Sequence, residues 1–351
     1  MKLYNVDNIP ENGILAKDVM LDSNTILLNE GTVLQPNYVD KLKSLGIFHV
    51  YIADKVLSKE EAVVILKKDI EEKCKKEIKK VMQRHTYSGN DKIKELSTTA
   101  NNIINEILEK KEVIENIYEI KERSADVYEH SISICSLATL VALKMNLSNE
   151  QVHDISMGCL LHDIGLRSVM VEYQNQNLED LEDKEQDEYR KHPVYGYNSI
   201  KNEKWLSKKV KEIILCHHEK LDGSGYPFRA TDIPIEVKIV SVCDSFDEMI
   251  CGIGCEKLKI YEAVEYMKGF KNILFDGQIV DILLQFTAVY PTGSIVVTNE
   301  QESAIVIKQN KNFPERPIIK VIKDKYGRTP EYERVIDLET ATNVFIDSVE
   351  E

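Results

Sequence analysis

Histidine and aspartate side chains recur on the apolar faces of several predicted helices in the middle of the chain. They are Asp126, His130, His162, Asp163, His217, His218, Asp244 and Asp247. A polar side chain on the apolar stripe of a helix faces the core and needs a partner there. One buried histidine is most often satisfied by a hydrogen bond, whereas many unpaired groups on successive helices would each cost several kcal/mol. A shared metal cluster removes that cost, so these residues favour a metal centre.

The spacing of these residues follows the helical repeat. Asp126 and His130 are four positions apart, and Ile134 continues the same face. His162 and Asp163 stand at the end of a helix that we expect to stop at Gly165. Neutral imidazoles and carboxylates suit several metals, so the ligand types alone do not identify the ion.

Composition narrows the classes of protein that could carry such a centre. The 351 residues include 43% hydrophobic residues and carry a formal net charge of -14. This charge argues against a nucleic-acid binder, because phosphate attraction normally needs clustered Lys and Arg. No apolar run approaches the roughly 20 residues that span a bilayer, so we expect a cytoplasmic protein without membrane insertion. The seven cysteines show no CxxC pairing and are predicted to be buried thiols, including the Cys251 and Cys255 pair.

The fold class predicted from these patterns is mainly α. We expect four segments: a small α/β module over 1–58, a charged helical connector or dimerisation stalk over 59–122, a helical bundle over 123–288, and a small all-β module over 289–351. The stalk is predicted to be a pair of long helices that meet at Ser88-Gly89-Asn90. Its charge is typical of a solvated face.

The ordered motifs of the bundle resemble those of the HD-GYP subgroup of HD-superfamily metal phosphohydrolases. The residues that carry the resemblance are His130, the run His162-Asp163-Ile164-Gly165, the dipeptide His192-Pro193, the pair His217-His218, the turn Asp222-Gly223-Ser224-Gly225-Tyr226-Pro227, and Asp244. The match covers about 123–288, and it implies an HD-type helical bundle.

The resemblance also implies the ligands of two or three divalent metals. One metal would be held by His130, His162, Asp163 and Asp244, and a second by Asp163 as a bridge together with His192, His217 and His218. Asp126 would either support a third metal or orient a ligand imidazole. Iron or manganese is expected ahead of zinc, nickel or magnesium. Asp163, Asp247 and Arg167 are the implied catalytic residues, and Asp222, Gly223, Gly225, Tyr226 and Pro227 would shape the substrate pocket.

The implied activity is hydrolysis of cyclic di-GMP to the linear dinucleotide, GMP or both. Two metals about 3.5–4 Å apart can hold a bridging hydroxide and neutralise the charge of the phosphodiester. The metals would also let an acidic protein bind an anionic substrate. Proteins of GGDEF type are implied as partners, and the helical stalk makes a homodimer plausible.

Two departures from the family pattern leave a second class of function open. Leu166 stands where most members have a lysine, with Arg167 beside it, and the stretch from Cys251 to Lys257 replaces a segment that usually supplies an arginine. Charge-assisted hydrogen bonds contribute about 1.5–3 kcal/mol each, so their loss would weaken phosphate binding. The alternative to an active phosphodiesterase is a domain that keeps its metals and acts as a cyclic dinucleotide sensor or an interaction scaffold. A mononucleotidase ranks third, because the glycine-rich turn argues against it.

Overall fold

A computed structural model gives the architecture of the chain. It describes residues 2–6, 14–17, 19–22, 25–28, 32, 34, 36–53, 64–85, 94–109, 117–120, 125–311 and 313–350. The predicted meeting point at Ser88-Gly89-Asn90 lies outside the described residues.

Helices dominate the described part of the chain, so the predicted fold class is confirmed. The α-helices are α1 (Pro36–Ser44), α2 (Lys68–His85), α3 (Glu95–Leu108), α4 (Val127–Lys144), α5 (Asn149–Leu161), α6 (Asp183–Tyr189), α7 (His192–Ile200), α8 (Lys208–Cys216), α9 (Ile235–Cys251), α10 (Ile260–Gly269) and α11 (Gly277–Gln285). Two 3₁₀ helices cover His162–Ser168 and Leu178–Asp180.

The strands fall into a group at each end of the chain. They are β1 (Lys2–Asn5), β2 (Ile14–Leu15), β3 (Val19–Asp22), β4 (Thr25–Leu28), β5 (His49–Ala53), β6 (Ile295–Thr298), β7 (Ser303–Lys308), β8 (Ile318–Lys323), β9 (Val335–Asp337) and β10 (Ile346–Val349). The first group forms an antiparallel sheet in the order β1-β5-β2 and a β3-β4 hairpin, with α1 beside them. The second forms one antiparallel sheet in the order β10-β6-β7-β8-β9. Strands β7 and β8 alternate buried and half-buried residues, as expected for a sheet with one face on a core.

Helix α4 lies at the centre of the bundle. Of its 18 residues, 12 are buried, including the run from Ser136 to Ala142. A helix that is apolar nearly all round must be enclosed on all sides. It contacts α2, α3, α5, α9 and α11. His130, in its first full turn, therefore points into a space closed by other helices.

Helices α2 and α3 belong to this same core and do not project as a stalk. Ile78 of α2 and Ile103 of α3 are fully buried in the cluster that also contains Leu137 of α4. The charged residues that suggested a solvated connector occupy the outer faces, while the apolar stripe of each helix packs inward. Among the described residues, no helix has the length and apolar character to cross a bilayer.

Candidate metal centre

The predicted ligands come from five separate elements of the bundle. His130 lies in the first turns of α4, and His162 and Asp163 open the 3₁₀ helix after α5. His192 is the first residue of α7. The remaining ligands are His217 and His218, directly after α8, and Asp244, in the middle of α9. All of them are at most 6% exposed, so the structure brings distant parts of the chain together in one buried centre.

One half of the centre is formed by His130, His162 and Asp244. The Nε2 atoms of the two histidines are 3.3 Å apart. Asp244 Oδ1 lies 3.0 Å from His130 Nε2 and 3.4 Å from His162 Nε2. These three side chains form a group whose ligand atoms are close enough for a single metal ion.

The other half is formed by His192, His217 and His218. His192 Nε2 lies 3.2 Å from His217 Nε2 and 3.1 Å from His218 Nε2. These imidazoles form a second group with the spacing of metal ligands. Tyr226 covers this half, because its ring stacks on His218 with centroids 4.6 Å apart.

Asp163 lies between the two halves. Its Oδ2 atom is 3.1 Å from His162 Nε2, and its Oδ1 atom is 3.4 Å from His192 Nε2 and 3.9 Å from His217 Nε2. Each carboxylate oxygen thus faces a different set of imidazoles. This is the arrangement that a bridging carboxylate requires.

Backbone carbonyls fix the orientation of three imidazoles. The Nδ1 atom of His162 donates to the carbonyl of Cys159 at 2.7 Å, and His217 Nδ1 donates to Ile214 at 3.0 Å. His192 Nδ1 donates to the Tyr189 carbonyl at 2.9 Å. A carbonyl only accepts, so Nδ1 carries a proton and Nε2 is the ring nitrogen that faces the centre. Such outer contacts are usual for metal-bound histidines.

His130 is oriented by a carboxylate instead. Its Nδ1 lies 2.8 Å from Asp247 Oδ2, and Ser133 Oγ donates to Asp247 Oδ1 at 2.7 Å. Asp247 therefore sits behind a ligand imidazole and not between the two halves. The Cys251 thiol is buried 3.9 Å from the same Nδ1. The cysteine prediction agrees with this burial, and Cys255 is half-buried.

The carboxylates raise the pKa of two imidazoles. Burial by itself would lower the pKa of His162, but the negative charges of Asp163 and Asp244 raise it to about 10. Burial also opposes protonation of His130, yet hydrogen bonds to Asp244 and Asp247 raise its pKa well above the usual value. In the metal-free protein, the protons on His162 and His130 balance the negative charge of these carboxylates. A bound cation would neutralise the same charge.

The imidazoles of the other half stay neutral. Burial, with the charge of His162 next in size, lowers the pKa of His217 to about 3. Burial likewise lowers the pKa of His192, and it lowers that of His218 well below the usual value. Neutral imidazole is the form that binds metal. The donor set of the centre as a whole fits a pair of divalent ions.

Two glycines allow the close contacts that position the ligands. A Cβ on Gly165 would lie 1.9 Å from the His192 carbonyl oxygen, so the 3₁₀ helix can touch α7 only because this residue has no side chain. The prediction that the helix would stop at Gly165 was wrong. The α-helix α5 ends at Leu161, and the 3₁₀ helix continues past Gly165 to Ser168. A Cβ on Gly225 would lie 2.4 Å from the His218 carbonyl oxygen, which fixes the turn against the ligand pair.

Asp126 lies outside the metal-binding groups. It caps α4, where its Oδ1 atom accepts hydrogen bonds from the backbone N–H of Tyr128 at 2.9 Å and of Glu129 at 3.2 Å. Its Oδ2 atom lies 2.9 Å from the Lys75 ammonium. Among the described residues, Asp126 belongs to none of the groups of potential metal ligands, and its contacts are to the end of α4 and to Lys75. The four-residue spacing was correct, but the extended backbone of a capping residue turns its side chain back to the helix end.

Other predicted site residues lie at the edge of the centre. Arg167 is exposed on the 3₁₀ helix, while its neighbour Leu166 is buried. Asp222 is exposed, and its Oδ1 atom accepts hydrogen bonds from the backbone and side chain of Ser224, which shapes the turn. Gly223 has a φ of +78°, and the bond between Tyr226 and Pro227 is cis.

Sequence reasoning missed two charged residues beside the centre. Glu248 forms a third group with His218 and Asp244 whose ligand atoms lie close enough for a metal. Burial and the charge of Asp244 raise its pKa well above the usual value. Lys220 is held by Ser245 Oγ at 2.7 Å, among other contacts, and burial lowers its pKa. The four-residue spacing from Asp244 to Glu248 was a signal that could have found the glutamate.

The fold and the ligand arrangement define a helical HD-type domain. A family model described as an HD domain matches residues 112–279, and one described as a KOW domain associated with HD domain matches residues 295–351. The C-terminal match coincides with the five-stranded sheet.

Proteins with similar sequences are named as cyclic di-GMP phosphodiesterases. The chain is 27% identical over 226 residues to the cyclic di-GMP phosphodiesterase PA4108 of Pseudomonas aeruginosa, covering 64% of this chain and 54% of that protein. It is 33% identical over 153 residues to the cyclic di-GMP phosphodiesterase response regulator RpfG of Xanthomonas campestris, covering 42% and 40% respectively. The chain thus spans about half the length of these curated relatives.

A solved structure shares the fold. The HD-GYP-type protein Bd1817 of Bdellovibrio bacteriovorus superposes with a TM-score of 0.52 at 17% identity, covering 80% of this chain and 97% of that one. The family match thus shows an HD domain over residues 112–279, and the relatives confirm the resemblance to HD-GYP proteins that the motifs predicted.

Proposed function

We propose that the chain is a metal-dependent phosphodiesterase that hydrolyses cyclic di-GMP to the linear dinucleotide, GMP or both. The observation that carries this proposal is the position of Asp163, whose two oxygens face two sets of imidazoles. This arrangement suits two divalent ions that share one carboxylate. The names of the relatives support an enzyme over a sensor or scaffold and indicate the class of substrate.

Histidine and aspartate side chains of this chain would bind the metals, and neighbouring groups fix the orientation of the histidines. The first metal would be bound by His130, His162, Asp163 and Asp244, and the second by Asp163, His192, His217 and His218. When bound, the metals supply positive charge for the phosphodiester and lower the pKa of water to near neutrality. Carbonyls and Asp247 hold the Nδ1 protons, so the Nε2 atoms stay directed at the centre. We assign Asp247 as a positioning residue.

The turn after the histidine pair is the proposed substrate side of the centre. Asp222, Gly223, Gly225, Tyr226 and Pro227 form it, and the Tyr226 ring lies over His218. An aromatic ring next to the metals can stack on a base of the dinucleotide. Asp222 contributes by fixing the turn through Ser224.

Lys220 carries a positive charge beside the centre, and the resemblance to the family did not point to this residue. Its ammonium is fixed by Ser241 and Ser245 of α9 and lies 4.6 Å from the centroid of the Phe275 ring. Ser245 directly follows Asp244 on α9, so the ammonium lies beside the Asp244 end of the centre. Burial lowers the pKa of Lys220, and the charges of Glu248 and Asp244 oppose this effect. We propose that Lys220 contributes to phosphate binding, with exposed Arg167 in a lesser role.

The test is anaerobic loading with Fe(II) or Mn(II), followed by chromatography of cyclic di-GMP and its products. His162→Ala and Asp163→Ala are the controls, because each removes a ligand. We expect turnover by the loaded protein alone. Equal turnover of 3′3′-cGAMP, for which a related phosphodiesterase of Vibrio cholerae is named, would broaden the substrate class.

Other outcomes separate the alternatives. Metal binding and cyclic di-GMP binding without turnover would replace the enzyme by a sensor. Failure to bind metal would contradict the centre itself. A GGDEF-type partner, a homodimer and the four segment boundaries remain predictions.

A further inference from the structure

Glu219 is a buried carboxylate directly after the histidine pair, and it is not among the predicted metal ligands. The residue is 1% exposed. Its Oε1 atom accepts a hydrogen bond from the backbone N–H of Phe228 at 2.7 Å, and Oε2 accepts one from the backbone N–H of Ala230 at 2.9 Å. Short hydrogen bonds to a charged acceptor are roughly twice as strong as those between neutral groups. Each oxygen of Glu219 therefore holds a separate point of the segment that follows the turn.

The backbone between the two donors is shaped to fit an anion. Arg229 lies between Phe228 and Ala230 and has a φ of +57°, which residues other than glycine rarely adopt. Neighbouring N–H groups in such a turn converge on a common point, where an anion binds. Phe228 is 63% exposed, so burial of its ring contributes little to fixing the segment. The carboxylate of Glu219 is the anion at this point.

The backbone of Glu219 is fixed on the side of the metal centre. Its N–H donates to the carbonyl of Cys216, the last residue of α8, at 2.9 Å. Its carbonyl accepts a hydrogen bond from Ser241 Oγ of α9 at 3.1 Å. A Cβ on Gly225 would lie 2.5 Å from Glu219 Cα, so the turn crosses directly over this residue. Glu219 thus connects the helices next to the ligands with the turn that passes over them.

Tyr226 lies between the two places where the turn is held. Its own N–H donates to the carbonyl of His218 at 3.4 Å, which is a long and weak hydrogen bond. Its ring stacks on the His218 ring, with centroids 4.6 Å apart and an angle of 23° between the planes. The next firm contact is the short hydrogen bond from Phe228 to Glu219, two residues further on. The position of the tyrosine ring therefore depends on Glu219.

We propose that Glu219 is a positioning residue that holds Tyr226 over the metal centre and thereby determines how tightly the dinucleotide binds. This inference rests on the proposed function, in which the turn is the substrate side of the centre. Glu219 acts through the turn and not on the reacting atoms. Its removal should loosen the turn but leave the metals bound, because His192 and His217 have orienting contacts of their own.

The variant that tests this role is Glu219→Gln, because an amide has the shape of a carboxylate but only one oxygen. The amide oxygen can accept from one of the two N–H groups, and the NH₂ group then faces the other, which loses its acceptor. With Mn(II) bound, we expect kcat/KM for cyclic di-GMP to fall about 10–100-fold, mainly through a higher KM, as when a buried donor is left unpaired. Hydrolysis of bis(p-nitrophenyl) phosphate, a small phosphodiester without bases, should be unchanged, and so should the amount of bound Mn(II).

Glu203→Gln is the matched control. Glu203 is also a buried glutamate, 4% exposed, but it lies between α7 and α8 and accepts a hydrogen bond from the Trp205 indole at 2.9 Å. This variant should hydrolyse both substrates as the unmodified protein does. Tyr226→Ala supplies a second comparison. Since Glu219 acts through this ring, adding Glu219→Gln to Tyr226→Ala should not lower kcat/KM further.

Three results with the variants would overturn the proposal. They are equal losses in Glu219→Gln and Glu203→Gln, equal losses for the two substrates, and additive losses in the double variant. If Glu219→Gln does not fold, amide hydrogen exchange of the unmodified protein is the test. Slow exchange at Phe228 and Ala230 would support the proposal, and exchange as fast as that of an open loop would overturn it.

A failure of the proposed function is distinguishable from a failure of this inference. Cleavage of neither phosphodiester by the unmodified, Mn(II)-loaded protein would contradict the proposed function. Calorimetric titration with cyclic di-GMP would then measure the role of Glu219 without turnover. Weaker binding by Glu219→Gln than by Glu203→Gln would support the positioning role, and equal binding would overturn it.

Discussion

At the scale of single residues, the centre depends on carboxylates that use each oxygen for a different neighbour. Asp163 joins the two halves, and Asp247 connects His130 to Ser133. One oxygen of Asp247 thus orients the His130 imidazole, and the other accepts a hydrogen bond from Ser133. A ligand and the group that orients it must be considered together.

Asp247→Asn is expected to weaken binding of the first metal by about 10–100-fold, the usual effect of changing an outer partner of a ligand. The neutral amide supports the Nδ1 proton of His130 less well than a carboxylate does. Competition with a fluorescent chelator measures the affinity. Asp281→Asn is the control, because Asp281 forms a surface ion pair with Lys271. Equal losses in the two variants would show that Asp247 has no special role.

Metal binding should release protons even in mildly alkaline buffer. The pKa of His162 in the metal-free protein is about 10, so this imidazole is charged at pH 8 and must lose its proton to bind a cation. Calorimetry in buffers with different ionisation enthalpies reports the number of protons released. Release should fall as the pH rises through 10. No release at pH 8 would contradict the charged state of His162.

The residues of the centre show what could be predicted from sequence and what could not. His130 and His162 were found because each continues an apolar stripe, and a helix carries that information in its spacing. Asp126 shares the stripe but caps its helix, and capping depends on backbone angles that spacing does not reveal. Glu248 was missed because an acidic residue after Asp247 resembles an ordinary surface charge.

At the scale of elements, the contact between the 3₁₀ helix and α7 decides whether Asp163 and His192 meet. Gly165 lies at that contact, and the backbone nitrogen of Gly196 in α7 packs against it. Two backbones approach closely only where side chains are absent. The sequence indicated a helix boundary at this glycine, whereas its real role depends on a partner helix far along the chain.

Gly165→Ala should destabilise the fold by at least about 1–3 kcal/mol, the usual cost of forcing extra volume into a packed site. The added Cβ would collide with the His192 carbonyl oxygen and push His192 away from Asp163. Urea unfolding measures the change in free energy. Gly269→Ala is the matched control, since nothing lies within 4 Å of its Cβ position at the end of α10. Similar stabilities for the two variants would contradict the close contact.

At the scale of the whole molecule, one core extends well beyond the residues that bear ligands. It includes α2 and α3, which the charge pattern had suggested as a separate stalk. Charge on an outer face does not reveal what the inner face packs against. The strand modules at both ends were predictable because their apolar residues alternate over short distances, and each has a core of its own.

Ile103→Ala is expected to destabilise the entire bundle by about 2–5 kcal/mol, as large-to-small changes in a core do. Ile103 of α3 is fully buried against the ligand-bearing helices, so metal retention should fall with stability. Thermal unfolding in the presence of Mn(II) measures both effects. Leu108→Ala, at the exposed end of the same helix, should change stability by no more than about 0.5 kcal/mol. A small loss of stability in Ile103→Ala would instead support the prediction that α3 belongs to an independent stalk.

The distance along the chain between His130 and Asp247 sets a waiting time during synthesis. These two residues are 117 positions apart. A ribosome that adds about 5–20 residues per second needs roughly 6–23 s to cover that length. Throughout this interval the imidazole has emerged or is emerging without the carboxylate that orients it. The order of events in the cell is therefore fixed by the chain itself: Asp247 must be synthesised before His130 can be oriented as in the finished centre.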